Sequence, residues 1–238
     1  MARTLTLTLA CALLASPAAA AVIQLDMEGK SDIPGWNRLT SANGSITGLL
    51  EDDGVTATDL DVQGIGTVAF ERNDWGPTND VTTSGYFFPG HVHQSAFIWG
   101  GSGHGTYTLR FTSPSWYDFR ITVLSDDLAR GQTDVPCYFN VGGTWDDDAG
   151  EFVGGETIEL VPRGGEVNPE NISGVIDGVC GAWDGSQYVL DLQADTPGSD
   201  KDGFINAVVV EVTPVPEPAT MGLLALGGLA FVRRRRTV

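Results

Sequence analysis

Histidine, serine, aspartate and tryptophan are the side chains whose clustering in this chain could support chemistry. His91-Val92-His93 places two imidazoles on one side of an extended segment, and His104 follows in GGSGHG. Three imidazoles can bind zinc. No acidic partner is fixed by this spacing, however, and a solvated or hydrogen-bonded structural role fits these histidines better. Ser102 stands in the run Gly100-Gly101-Ser102-Gly103-His104. A hydrolase nucleophile elbow needs Gly-x-Ser-x-Gly at a strand-to-helix turn, and here both the last glycine and the helix are missing. A phosphate-binding loop is excluded too, because no Lys-Ser/Thr follows. The stretch reads as a glycine-rich turn between strands.

Carboxylates are abundant, with 31 Asp and Glu in 238 residues. A glycosidase-like acid–base pair is open by count alone, but no two stand out by spacing, and no catalytic residue is assigned. Acidic loops occur at Asp126-Asp127, Asp146-Asp147-Asp148 and Asp200-Lys201-Asp202. Clustered hard oxygens suit calcium, although none of these loops follows the EF-hand order. Asp146, Asp147 and Asp148 are the candidate ligands of a structural Ca²⁺, against a plain solvated acidic loop. Among six tryptophans, Trp99 and Trp116 lie at strand edges and read as core. Trp36, Trp75, Trp145 and Trp183 sit among Asn, Asp and Gly, where an indole face can stay open to stack on a sugar ring. Trp75 in NDWGP and Trp145 in GTWDDD are the leading ligand contacts, each weighed against a role in plugging a loop onto the core.

The two ends of the chain are not part of a fold. Residues 1–20 combine Arg3, an apolar stretch from Leu5 to Leu14, Pro17 and Ala18-Ala19-Ala20. That is the layout of a secretory signal peptide cleaved before Ala21. The other end reads VPEPATMGLLALGGLAFVRRRRTV from Val215 to Val238. Its uncharged run, Ala219 to Val232, makes a short hydrophobic helix of about 21 Å, against roughly 30 Å of hydrocarbon. Arg233, Arg234, Arg235 and Arg236 hold the end on the cytoplasmic side. A span this short, terminal and cation-capped fits transient inner-membrane insertion better than a permanent anchor.

Between Ala21 and Pro214, 8 Lys and Arg stand against 30 Asp and Glu, a formal charge of about −22. Such a surface repels nucleic acid and anionic lipid, so nucleic acid is excluded as a partner. Cys11 leaves with the signal peptide, and Cys137 and Cys180 remain. Two cysteines in an exported chain predict one disulfide, the alternative being two separate buried thiols.

The body reads as all-β. Tyr107, Leu109 and Phe111 alternate with Thr108, Arg110 and Thr112, and Tyr117, Phe119, Ile121 and Val123 alternate with Asp118, Arg120 and Thr122. Tyr188, Leu190 and Leu192 repeat the pattern. Each run has one apolar and one polar face, as half-buried antiparallel strands should. Ser113-Pro114-Ser115 predicts a hairpin-like turn between the first two. Further strands are expected at 22–27, 55–61, 66–71, 94–99, 136–141, 156–161, 172–177 and 204–212. FINAVVVEV (Phe204 to Val212) is apolar on both faces and should be a central strand. About ten short strands with Gly- and Asp-rich loops predict a two-sheet antiparallel β-sandwich.

Two resemblances follow. GWNRLT, the SPS turn, YDFRITVLSDD and FINAVVVEV, in that order, resemble the jelly-roll domains grouped as galactose-binding-like, over roughly Ile23 to Val212. Val215-Pro216-Glu217-Pro218, followed by the apolar run and the arginine cluster, resembles a PEP-CTERM sorting signal. That resemblance implies processing by exosortase, a membrane protease of Gram-negative bacteria that make extracellular polysaccharide. The expected organisation is a signal peptide (1–20), a β-sandwich domain (21–213) and a sorting signal (214–238). The expected function is that of an exported, non-catalytic binding or structural component at the cell surface or in the exopolysaccharide matrix. The alternative is a secreted hydrolase acting on polysaccharide.

Overall fold

The computed structural model describes residues 20–27, 33–66, 70–72, 80–93, 96–100, 106–125, 136–146, 148–161, 172–196 and 202–216. The expected signal peptide (but for residue 20) and the expected C-terminal hydrophobic helix lie outside the described residues. Within them the chain is a β-sandwich. One sheet runs in the order β15 (Ser173–Cys180), β10 (Tyr117–Leu124), β19 (Ala207–Pro214), β1 (Ala21–Met27), β2 (Trp36–Leu39). Its pairs are antiparallel except β1 with β2. The second sheet runs β14 (Glu156–Leu160), β11 (Cys137–Val141), β17 (Tyr188–Asp195), β9 (Tyr107–Ser113), β4 (Asp61–Ile65), β3 (Ser45–Ile46), with β16 (Ala182–Trp183) paired to β17. A small sheet joins β5 (Phe70–Arg72), β8 (Ala96–Gly100) and β18 (Asp202–Ile205). Two hairpins, β6–β7 (Val81–Thr83, Tyr86–Phe88) and β12–β13 (Thr144–Asp146, Glu151–Val153), and one helical turn, α1 (Gly90–His93), lie on the outside.

The core lies between the two sheets. Ile23, Leu25, Ile121, Val123, Val208, Val210 and Val212 from one sheet meet Leu109, Phe111, Phe139, Leu190 and Leu192 from the other. Period-two alternation places them there, and each contributes about 1.5–3 kcal/mol of burial. β19 is central, as its two-faced apolarity predicts. Its outward residues Ala207 and Val209 belong to a second cluster with Val81, Phe88, Val92, Leu124 and Ile172, roofed by the β6–β7 hairpin and α1. FINAVVVEV breaks in one place: Asn206 ends β18 and lets the chain cross sheets, its N–H donating to Leu124 O and its carbonyl accepting from Met27 N.

Local chemistry overrides the sequence pattern at three points. The strand expected over 55–61 begins only at Asp61. Asp53 accepts from Val55 N, Thr56 N and the Thr56 hydroxyl (2.7, 2.8 and 2.6 Å), which curls the chain into an Asx turn. The strand expected over 66–71 does not begin at Gly66, whose φ of +135° ends β4. It appears as the short β5 instead. Ser113-Pro114-Ser115 is not a hairpin. β9 and β10 belong to opposite sheets, and the turn is an arch closing one end of the sandwich.

Asp59 latches this arch, accepting from Ser113 Oγ (3.1 Å), Ser115 Oγ (2.6 Å) and Tyr117 OH (2.6 Å). Partial burial pushes the Asp59 carboxyl up, and the hydrogen bonds from Ser115, Tyr117 and Ser113 outweigh it, leaving its pKa below the usual range. Burial first, and then the bond to Asp59, push Tyr117 up to about 12.

The expected disulfide is absent: Cys137 is a buried thiol and Cys180 an exposed one. Cys137 pairs with Leu160 across β11–β14, and Leu160 packs over Gly174 near the start of β15. Cys180 is the last residue of β15. Six residues of strand, about 20 Å, keep the two sulfurs out of bonding range.

The arch yields a pH-dependent prediction. Asp59→Ala should destabilise the fold by about 1–2 kcal/mol at pH 7, allowing for partial exposure. Because the folded-state pKa is depressed, this stabilisation exists above the unfolded Asp value near 3.8 and is lost as pH falls through the folded one. Urea unfolding at pH 7 and pH 3 checks it: the gap between wild type and variant should close at the lower pH.

Candidate functional site

The outward face of the second sheet carries a row of polar residues at its centre. Arg110 on β9 and Asp191 on β17 are directly opposed in register. They form a two-pronged pair, Arg110 Nε to Asp191 Oδ1 and Nη2 to Oδ2, both 2.8 Å. This bond raises the Arg110 pKa still further. The pair forms the floor of an open groove of about 430 Å³, with Gln193 and Val189 beside it. One wall is the β16–β17 turn, which presents Trp183 and Asp184. Trp183 is 56% exposed, a large apolar ring left in water.

That turn is self-built. Asp184 Oδ1 accepts from Ser186 N (2.8 Å), Gln187 N (2.9 Å) and Ser186 Oγ (2.9 Å), while Asp184 N donates to Gln187 O. The same bonds, Ser186 N–H first, hold the Asp184 carboxyl below its usual pKa. Gly185 takes the left-handed φ of +109° that the tight turn needs.

The opposite wall is the turn Gly142–Gly143, organised from beneath by Asn140. This side chain points outward from β11 yet is fully buried. Its Nδ2 donates to Gly154 O (2.9 Å) and Thr157 Oγ1 (2.6 Å), and its Oδ1 accepts from Gly143 N (2.6 Å). A Cβ on Gly143 would lie 2.3 Å from Gly154 O, so only glycine permits this approach. Gln193 Nε2 reaches Gly143 O at 3.4 Å and ties wall to floor.

A second hollow of about 560 Å³ lies along the β12–β13 hairpin, lined by Trp145, Asp146, Asp148 and Val153. Trp145 is half-buried, packed against Tyr138 and edge-on to Phe152 (6.0 and 5.0 Å between centroids). It both plugs the hairpin onto the sheet and borders the hollow. Asp146 Oδ1 accepts from Asp148 N (2.9 Å) and Ala149 N (3.1 Å), making it a turn former. Asp147 lies outside the described residues, and among those described no three His, Cys, Asp or Glu surround a common point.

The remaining expected residues scatter. Trp75, His104, Ser102, Glu217, Pro218 and Arg233 to Arg236 lie outside the described residues, as does the side chain of His93. His91 is exposed on α1. Trp36 is half-buried against Phe88, 5.9 Å between centroids. Val215 closes onto the arch, its N–H donating to Trp116 O (2.8 Å). Trp116 is half-buried and stacks on Tyr188 (6.1 Å, 10°), which Trp183 meets edge-on (5.0 Å, 62°). In the sequence Trp183 is one of four tryptophans set among Asn, Asp and Gly. The signal that singles it out is the Asp-Gly-Ser turn immediately after it, which aims the ring outward.

Comparisons with known proteins bear on both ends of this picture. The PEP-CTERM protein-sorting motif matches residues 214–236. No curated protein matches the chain. Among solved structures it is similar to the ANX2 ectodomain from Arabidopsis thaliana, at 14% identity and a TM-score of 0.40, over 82% of this chain and 50% of that one. It is similar to a family 35 carbohydrate binding module from Clostridium thermocellum (13%, TM-score 0.29), over 62% of this chain and 90% of that one. A third is TmCBM61 in complex with β-1,4-galactotriose (13%, TM-score 0.29), over 49% and 70%.

Asn140 gives this site its sharpest stability test. Asn140→Ala removes the three hydrogen bonds that this buried amide makes with the Gly143 N–H, the Gly154 carbonyl and the Thr157 hydroxyl, at about 1–2 kcal/mol, because those partners are partly or fully open to water. Denaturant unfolding should show that loss, whereas Asp184→Ala, on an exposed turn, should cost under about 1 kcal/mol.

Proposed function

We propose that this chain, which carries a PEP-CTERM sorting motif at residues 214–236, is an exported substrate of an exosortase-type protease. Its tail enters the inner membrane transiently and is processed. The sandwich then resides at the surface or in the polysaccharide matrix of a Gram-negative bacterium, where it binds polysaccharide without cleaving it.

The groove carries the binding half of this reading. It is open and joins an exposed indole to a fixed array of hydrogen-bonding groups. An indole face stacks on the C–H face of a sugar ring, while Arg110, Asp191 and Gln193 offer donors and acceptors to ring hydroxyls. Because Arg110 and Asp191 neutralise one another, the floor suits hydroxyls better than a charged group. The exposed Asp184, with its lowered pKa, disfavours an anionic chain.

The same carboxylates argue against hydrolysis at this place. A general acid has to be protonated near neutral pH, which requires a raised pKa. Asp184 is shifted the other way. Asp191 has both oxygens engaged by Arg110.

Affinity electrophoresis or pull-down of the secreted protein on exopolysaccharide tests the reading. Trp183→Ala should weaken retention about tenfold, equivalent to about 1.4 kcal/mol, and Trp36→Phe should leave it unchanged. A parallel run with EDTA tests for a cation at the Asp146–Asp148 hairpin. Release of reducing ends from the polysaccharide would replace binding by hydrolysis. Mass spectrometry finding Arg233–Arg236 intact on the surface protein would remove the processing step.

A further inference from the structure

The last strand runs into the sorting motif with no spacer. β19 keeps its ladder with β10 to the pair Tyr117–Pro214, and the next residue, Val215, is bonded to Trp116 O. From Pro216 only three residues lead to Ala219, where the uncharged run begins. Fully extended they reach about 11 Å. If the tail is in a bilayer, the end of the sandwich where it leaves lies within that distance of the lipid.

That end is built of aromatic rings. Trp116 receives the Val215 N–H on its carbonyl and stacks on Tyr188, and Trp183 leans on Tyr188 in turn. The three form one continuous ladder from the tail's exit to the groove, half-buried at Trp116 and Tyr188 and open at Trp183. Trp and Tyr favour the membrane–water interface, where the ring meets acyl chains and the polar atom meets head groups. The exposed carboxylates beside them, Asp118 next to Tyr117 and Asp184 next to Trp183, oppose anionic head groups. A zwitterionic leaflet fits.

We propose that, while the tail is inserted, the Trp116–Tyr188–Trp183 end of the sandwich rests on a zwitterionic membrane interface. This rests on the reading of the tail as transiently membrane-inserted and is independent of what the groove binds. Processing then releases a surface that the tether had pressed onto the bilayer.

The full chain reconstituted into phosphatidylcholine vesicles, with lipids brominated close to the head group, tests it. Bromine quenches tryptophan emission only at short range. Part of the emission should be quenched, and Trp116→Phe with Trp183→Phe should abolish most of that part. Trp183→Phe alone, at an exposed position, should remove a resolvable share. Trp36→Phe is the control, since Trp36 is in register with Gln24 and thereby with Val209, about 17 Å up the strand from Pro214. Its replacement should leave the quenchable part intact. Chain that floats with the vesicles without being quenched would give the rings to another occupant, such as a second copy, and overturn the proposal. Quenching unchanged in the double variant would overturn it equally. Chain that fails to float would overturn the insertion reading as well.

Discussion

β19 has to bury both of its faces, and the rest of the sandwich is arranged to let it. Val208, Val210 and Val212 require a second sheet across from them, which supplies the main core. Ala207 and Val209 require a roof on the other side, supplied by the β6–β7 hairpin and α1. Valine alone cannot make such a strand soluble, because each one left in water forfeits about 1.5 kcal/mol or more. The only polar residue facing outward within the strand's middle is Glu211, which accepts from Tyr86 OH and from Arg120 (3.0 Å). Burial and Glu211 together raise the Tyr86 pKa, so the phenol stays protonated as the donor. The hairpin roof is thus held to the strand by one charge-assisted bond where its apolar contacts end.

This arrangement also decides where function can sit. The outward face of the first sheet is roofed over Ala207, Val209 and Leu124, whereas the centre of the second sheet's outward face is open. There the strands present a polar row, and the ends of the row are raised into walls by turns that only particular residues allow. Gly143 lets the chain come within reach of Asn140, and Asp184 curls the β16–β17 connection tightly enough to stand Trp183 on the rim. A heavily acidic protein gains a groove with a neutralised floor by pairing its arginine with an aspartate across two strands.

The architecture was legible because alternation is a backbone property. Strands β9, β10 and β17, with one apolar face each, and β19, with two, are found where period-two reading puts them. What the sequence did not show was partnership. FTSPSWYDF reads equally well as a hairpin or as an arch, since the distinction lies in Asp59, more than fifty residues earlier, whose three bonds hold the turn across the sheets. Counting cysteines suggested a bridge, but the count carries no information about which end of a strand each thiol occupies. Among the loop tryptophans, composition around the residue could not separate Trp145, whose ring packs on Tyr138 and Phe152, from Trp183, whose ring is left in solvent. That difference depends on what folds back over each ring.

The sorting motif and the groove meet at the same end of the molecule, and that has a consequence for their order of use. Val215 is bonded to Trp116, Trp116 stacks on Tyr188, and Tyr188 supports Trp183 on the groove's rim. In the proposed tail-inserted state, the three residues from Pro216 to Ala219 allow a tether of at most about 11 Å. A rim held that close to a bilayer has little room to admit a polymer. On the proposed reading, cutting the tail would leave the same indole facing water with no competitor. If the tail is processed and the groove binds polysaccharide as proposed, the short link from β19 to the apolar run favours processing before binding.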